Sequence, residues 1–252
     1  MALPWLLNSS GGPTYRDAWK PRGVVPPRYP RLLRWIASDG HTVATVRAKA
    51  KKALTRCPKT AGRQVGLLRV LVGDLRAAAD VLSKAPGLGW SSEDHPGHLV
   101  FPLFAVLLAN ATARKVGDAL LAELKSTGRD LLADIPNEDV AGKPKLATPS
   151  IVGLVQDACP SITMTDANRD LAITAMRVAA ERRVEGILGN SRRRHYGHAA
   201  LLVASCLAFA PKAREAELSV WVADLRQQYA RRSAFRQELT RAFVSLGVSL
   251  PV

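Results

Sequence analysis

Residues 165–210 read TDANRDLAITAMRVAAERRVEGILGNSRRRHYGHAALLVASCLAFA, and the fold class is decided there. Leu171, Ile173, Ala175, Met176, Ala179 and Val184 recur at helical spacing up to Ile187. Thr165 or Asp166 is the residue type that satisfies free N–H groups at a helix start. A helix from that point to Ile187 is therefore expected. After a polar turn, residues 199–210 are almost wholly apolar, and a second helix is expected over 194–209.

The same period extends in both directions. Downstream, residues 212–231 and 233–246 read as two further helices. Upstream, Arg63–Lys84 carries Leu67, Leu68, Val70, Leu71, Leu75, Ala78, Ala79 and Leu82 and reads as one long amphipathic helix. His98–Asn110 is apolar all round, and Thr112–Ile135 is helical with a possible break at Gly128. Helices are also expected over 31–38, 41–56 and from Thr148-Pro149 to Ala158. No segment alternates as a strand does. The expected fold is all-α: an α-solenoid-like helical array of TPR- or HEAT-like helix pairs, with an extended basic N-terminal arm. Its units are an arm at 1–30, an N-terminal helical half at 31–135, a polar linker at 136–148 and a C-terminal helical half at 149–252.

The chain has 252 residues and a net charge of +15, with 36 Lys+Arg against 21 Asp+Glu. The 47% hydrophobic content excludes a disordered chain. The charge is unevenly placed. Residues 1–63 hold 13 Lys/Arg and 2 acids, a net of +11; residues 64–191 are at −2; residues 192–252 are at +6. In the arm, Tyr15, Trp19 and Tyr29 alternate with Arg16, Lys20, Arg22 and Arg28, and Pro26, Pro27 and Pro30 favour extended backbone. The 41–56 helix carries Arg47, Lys49, Lys51, Lys52 and Arg56. Cations of this kind neutralise phosphates, and the three arm rings can stack on unpaired bases. The bland alternative packs the rings on the domain and leaves the cations in water. In the body, Arg192, Arg193 and Arg194 form the sharpest anion-binding candidate, just before a helix whose free N–H groups already favour anions. A solvated basic turn is its alternative.

Four of the five histidines fall in two stretches 100 residues apart. Leu88-Gly89-Trp90-Ser91-Ser92-Glu93-Asp94-His95-Pro96-Gly97-His98 matches Leu188-Gly189-Asn190-Ser191-Arg192-Arg193-Arg194-His195-Tyr196-Gly197-His198 at Leu, Gly, Ser, His, Gly and His. Each copy follows an amphipathic helix and precedes an apolar one. One reading is structural duplication: a Gly ends one helix, Ser91 or Ser191 supports the turn, the histidines lie in the next helix's first turn, and Gly89 and Gly189 fit a helix C-terminal cap. A second is metal binding by His95, His98, His195 and His198, opposed by the lack of any recurring acid or Cys. The third is coincidence.

The runs Gly87–Ser91 and His95–Pro102, with Arg194–Ala200 and then Trp221, Leu225, Tyr229, Phe235 and Leu239, resemble a group of bacterial helical proteins. Some of that group carry a SWIM-type zinc finger beside a TPR-like helical region. The resemblance covers roughly residues 63–245. The finger's C-x-C pair and later C-x-H are absent from this chain, so no zinc-finger role carries over. What the resemblance implies is a helical-repeat interaction module.

Cys57, Cys159 and Cys206 are far apart and form no C-x-x-C pair, which argues against a disulfide framework or a cysteine zinc site. Cys206 reads as a small buried hydrophobe. The apolar runs are about half the ~20 residues a membrane span needs. The N-terminus makes a poor secretory signal. A cytoplasmic protein with no membrane contact is expected. No G-x-G-x-x-G, P-loop, G-x-S-x-G or H-E-x-x-H is present, so neither a catalytic residue nor a cofactor is assigned. The expected function is non-enzymatic binding of RNA or DNA backbone with low sequence specificity, as a subunit of a larger bacterial (ribonucleo)protein assembly with other protein subunits. The alternatives are a TPR-like protein–protein scaffold and a metal-dependent enzyme using the paired H-x-x-H motifs.

Overall fold

Thr165 opens the longest helix among the described residues. Its side-chain oxygen accepts the backbone N–H of Asn168 at 3.2 Å, satisfying a donor that the helix itself leaves free. The computed structural model describes residues 69–70, 72–84, 87–88, 90, 97–112 and 162–251, with the single positions 54, 66 and 120. The described residues are helices joined by turns, with no strand among them. In chain order they are α1 (Leu75–Ser83), α2 (Gly97–Ala111), α3 (Asp166–Gly189), a 3-10 turn (Arg193–His195), α4 (Tyr196–Ala208), α5 (Lys212–Gln228) and α6 (Ser233–Ser245). The expected arm, the helices at 31–38 and 149–158 and the linker at 136–148 lie outside the described residues. So do the helices at 41–56 and 112–135, apart from single positions.

α2 and α4 are the two segments whose apolar residues leave no polar face, and both are central. In α2 every residue from Leu99 to Ala109 is buried; in α4 every residue from Leu202 to Ala208 is. α4 packs on α3, on α5 and most extensively on α6, while α1 and α2 pack on α3. One buried core runs from Leu75 and Phe101 through Ile173 and Val184 to Leu202, Leu218 and Phe243. α3 approaches its neighbours closely because its buried stripe is rich in alanine: Ala172, Ala175, Ala179 and Ala180. Cys206 is buried and free within α4, and desolvation pushes its thiol far above the usual range. No helix among the described residues is long and apolar enough to cross a membrane.

Two expectations about helix ends are corrected. The long helix expected over Arg63–Lys84 is interrupted at Gly73, which adopts φ +79°. Asp74 N–H reaches back to Arg69 C=O at 2.8 Å and Gly73 N–H to Val70 C=O at 2.9 Å, the paired bonds of a left-handed C-terminal cap. The apolar period continues through the break because Leu75, Ala78, Ala79 and Leu82 return to the same core. The second correction is at Gly189. It is the last residue of α3 rather than its left-handed cap, and Ser191 takes that role at φ 52°. Arg192 N–H bonds Ile187 C=O at 3.0 Å and Ser191 N–H bonds Leu188 C=O at 3.2 Å. Both bonds of the cap are made, with a serine where glycine is usual. The following α-helix then starts at Tyr196, two residues later than expected, because residues 193–195 are wound as 3-10.

Candidate functional site

The α3–α4 connection is built from the bottom up by burial. Leu188 and Tyr196 are buried at its two ends, which forces the residues between them outward. Arg192, Arg193 and Arg194 are all exposed on the turn. His195, half-buried, accepts a hydrogen bond at Nε2 from Arg194 Nε at 2.9 Å. Its pKa lies below the ordinary histidine value. Desolvation is the first cause, followed by the positive charges of Arg183, Arg194 and Arg192 and by the neighbouring His198.

Behind the turn lies a polar cluster that ties the two histidine motifs together. Arg183 of α3 is only 4% exposed. Its Nε donates to His198 Nδ1 at 3.1 Å and its terminal nitrogen to Gly87 C=O at 2.9 Å. Its guanidinium also sits 5.8 Å from the centre of the Trp90 ring. Trp90 meets the His198 ring edge-to-face at 5.3 Å. Gly87 and Gly186 allow this approach, since a Cβ on Gly87 would overlap the carbonyl oxygen of Arg182. The start of the first motif thus touches the end of the second. His95, and the side chain of His98, lie outside the described residues.

A second basic turn stands beside the first. Arg231 and Arg232 lie between α5 and α6, and Arg236 is in the first turn of α6; all three are exposed. The Arg232 guanidinium comes within 3.5 Å of Ser191 Oγ and of Leu188 C=O, on the α3–α4 connection. Tyr196 and Phe235 pin the bases of the two turns, ring edge to ring face at 5.9 Å. Among the described residues, none of Arg192, Arg193, Arg194, Arg231, Arg232 and Arg236 forms an ion pair. Other arginines do. Arg214 pairs with Asp170 and Glu217, Arg177 with Glu181 and Glu217, and Arg241 with Glu238. Sequence reasoning missed Arg231, Arg232 and Arg236. The Arg-Arg pair ahead of a helix was a legible charge cluster, but only the fold shows that it adjoins Arg192–Arg194.

Of the residues expected to bind nucleic acid, only Arg192, Arg193 and Arg194 are described. Arg16, Lys20, Arg22, Arg28, Arg47, Lys49, Lys51, Lys52 and Arg56, with the stacking candidates Tyr15, Trp19 and Tyr29, lie outside. Among the described residues no group of three or more His, Cys, Asp or Glu is placed to hold a metal ion. His195 Nε2 and His198 Nδ1 each accept a hydrogen bond from an arginine. The fold and site together define an all-helical protein with two adjoining turns whose arginines form no ion pair among the described residues. No protein-family model, curated protein or solved structure matches the chain.

Proposed function

We propose that the chain binds the phosphate backbone of nucleic acid, using the N-terminal cations together with Arg192, Arg193 and Arg194. The observation that carries this reading is the triple-arginine turn: three exposed guanidinium groups without a carboxylate partner among the described residues, while Arg177 and Arg214 elsewhere are paired. An unpaired guanidinium matches phosphate geometry and keeps its charge at any physiological pH. Contacts of this kind release counterions, so binding should weaken steeply with salt and depend little on base sequence.

The test is a salt titration of binding to single- and double-stranded nucleic acid by the full chain. Measurable binding at low salt that is lost as salt rises supports the reading; no binding at low salt overturns it. Deleting residues 1–40 separates it from a protein-scaffold function, because a scaffold should keep its partner while a phosphate binder should lose most affinity. The solenoid-like arrangement belongs to the same proposal. Its support is the packing of α4 on α6, the next helix but one, more extensively than on α5.

A further inference from the structure

The arginines that the sequence reading left aside stand where a phosphate-binding surface would need them. Arg231, Arg232 and Arg236 are exposed, lack ion pairs among the described residues, and lie on the turn that touches the Arg192–Arg194 turn or, for Arg236, in the first turn of the helix that follows it. The two turns are held in register by buried rings. Tyr196 follows the first turn directly and is 3% exposed, while Phe235 lies just past the second and is 1% exposed. A rigid base matters, because guanidinium groups fixed on packed turns lose less freedom on binding than groups on a mobile tail.

The aromatic residues at these turns are committed elsewhere. Tyr196 and Tyr229 both meet Phe235 edge-to-face, at 5.9 and 6.1 Å. Tyr196 is buried, so its ring presents no face on which an unpaired base could stack. What the surface offers is cationic charge from two adjoining turns, which favours the ligand with the densest row of phosphates. That ligand is a double helix, with one charge per ~1.7 Å of axis over both strands.

We propose that Arg231, Arg232 and Arg236 form a second limb of the site, and that the two limbs together bind double-helical nucleic acid in preference to single strands. This rests on the phosphate-binding reading above. The experiment uses the full chain and a fluorescein-labelled 24-bp duplex of arbitrary sequence, with the matching single strand, followed by anisotropy over a range of salt. The triple variants are Arg192→Gln/Arg193→Gln/Arg194→Gln and Arg231→Gln/Arg232→Gln/Arg236→Gln. Each should weaken duplex binding about tenfold and lower the slope of log K against log salt by about 2 to 3. Substituting lysine at Arg231, Arg232 and Arg236 should restore most of the affinity, which a folding defect in the glutamine variant would not explain.

If the second-limb glutamine variant binds like wild type while the first-limb variant is weakened, the second limb is refuted and the phosphate reading stands. Tighter binding to the single strand than to the duplex also refutes the inference and leaves that reading intact. If the wild-type chain binds neither probe at low salt, both fall.

Discussion

A Cβ placed on Gly186 would come within 2.8 Å of the Gly87 carbonyl carbon, whereas one on Gly189, a single turn further along α3, would meet nothing within 4 Å. Helix propensity alone predicts that alanine improves both positions. The structure separates them. Gly189→Ala should stabilise by about 0.5 kcal/mol, through the unfolded chain's lost freedom. Gly186→Ala should destabilise by about 1 to 3 kcal/mol, because backbone rather than a flexible side chain must move. Urea melts of the two variants check the opposite signs. His195 carries a second residue-scale prediction. Its pKa in the fold is lowered from 6.5 by burial and surrounding arginines, so the unfolded chain binds the proton more readily. The stabilisation is complete above about pH 6.5 and is lost as the pH falls through that value toward the folded pKa. His195→Gln should therefore flatten the decline in Tm between pH 7.5 and 5, measured by scanning calorimetry. An unchanged slope would show that His195 titrates alike in both states.

At the scale of elements, the helices were legible where burial is one-sided or complete. Leu99–Ala109 read as central from its apolar run and is buried, and Cys206, read as a small buried hydrophobe in the later run, is buried too. The interruption at Gly73 was not legible, because the apolar stripe resumes in phase beyond it. Ser191 was legible as support for its turn but not as the left-handed cap itself, because serine rarely takes that conformation and Gly189 nearby looked better suited. Arg183 was hidden by its own chemistry, since charged residues are rarely fully buried unless paired. Its partners come from 15 and 96 residues away, beyond the reach of any local pattern. Those bonds join α3 to α4 and to the chain before α2, and they require a planar donor with two well-separated N–H directions. Arg183→Lys keeps the charge but cannot reach His198 Nδ1 and the Gly87 carbonyl together. It should lower stability by about 1 to 3 kcal/mol in chemical denaturation. A neutral result would mean that the Trp90 contact and burial, rather than the fork, hold the helices.

Across the whole molecule, charge is distributed by pairing as much as by sequence. Within the +6 of residues 192–252 the sequence marked Arg192, Arg193 and Arg194 as a focus, but not which of the other arginines are neutralised. In the fold, Arg214 is taken up by Asp170 and Glu217 between α3 and α5, whereas the arginines of the two adjoining turns stand together without carboxylates among the described residues. This division was illegible because the acids that neutralise Arg214 include one 44 residues away. It makes a prediction about salt that does not depend on any ligand. Exposed ion pairs contribute about 0 to 1 kcal/mol each, and screening weakens them modestly. Repulsion within a chain of net charge +15 acts against the compact state and is screened by the same ions. Repulsion should win, so raising NaCl from about 0.05 to 0.5 M should raise Tm by roughly 2 to 5 °C. The Arg192→Gln/Arg193→Gln/Arg194→Gln variant removes three like charges from one turn and should show a smaller rise from a higher low-salt Tm. A fall in Tm with salt would instead mean that the α3–α5 ion pairs dominate the molecule's electrostatic balance.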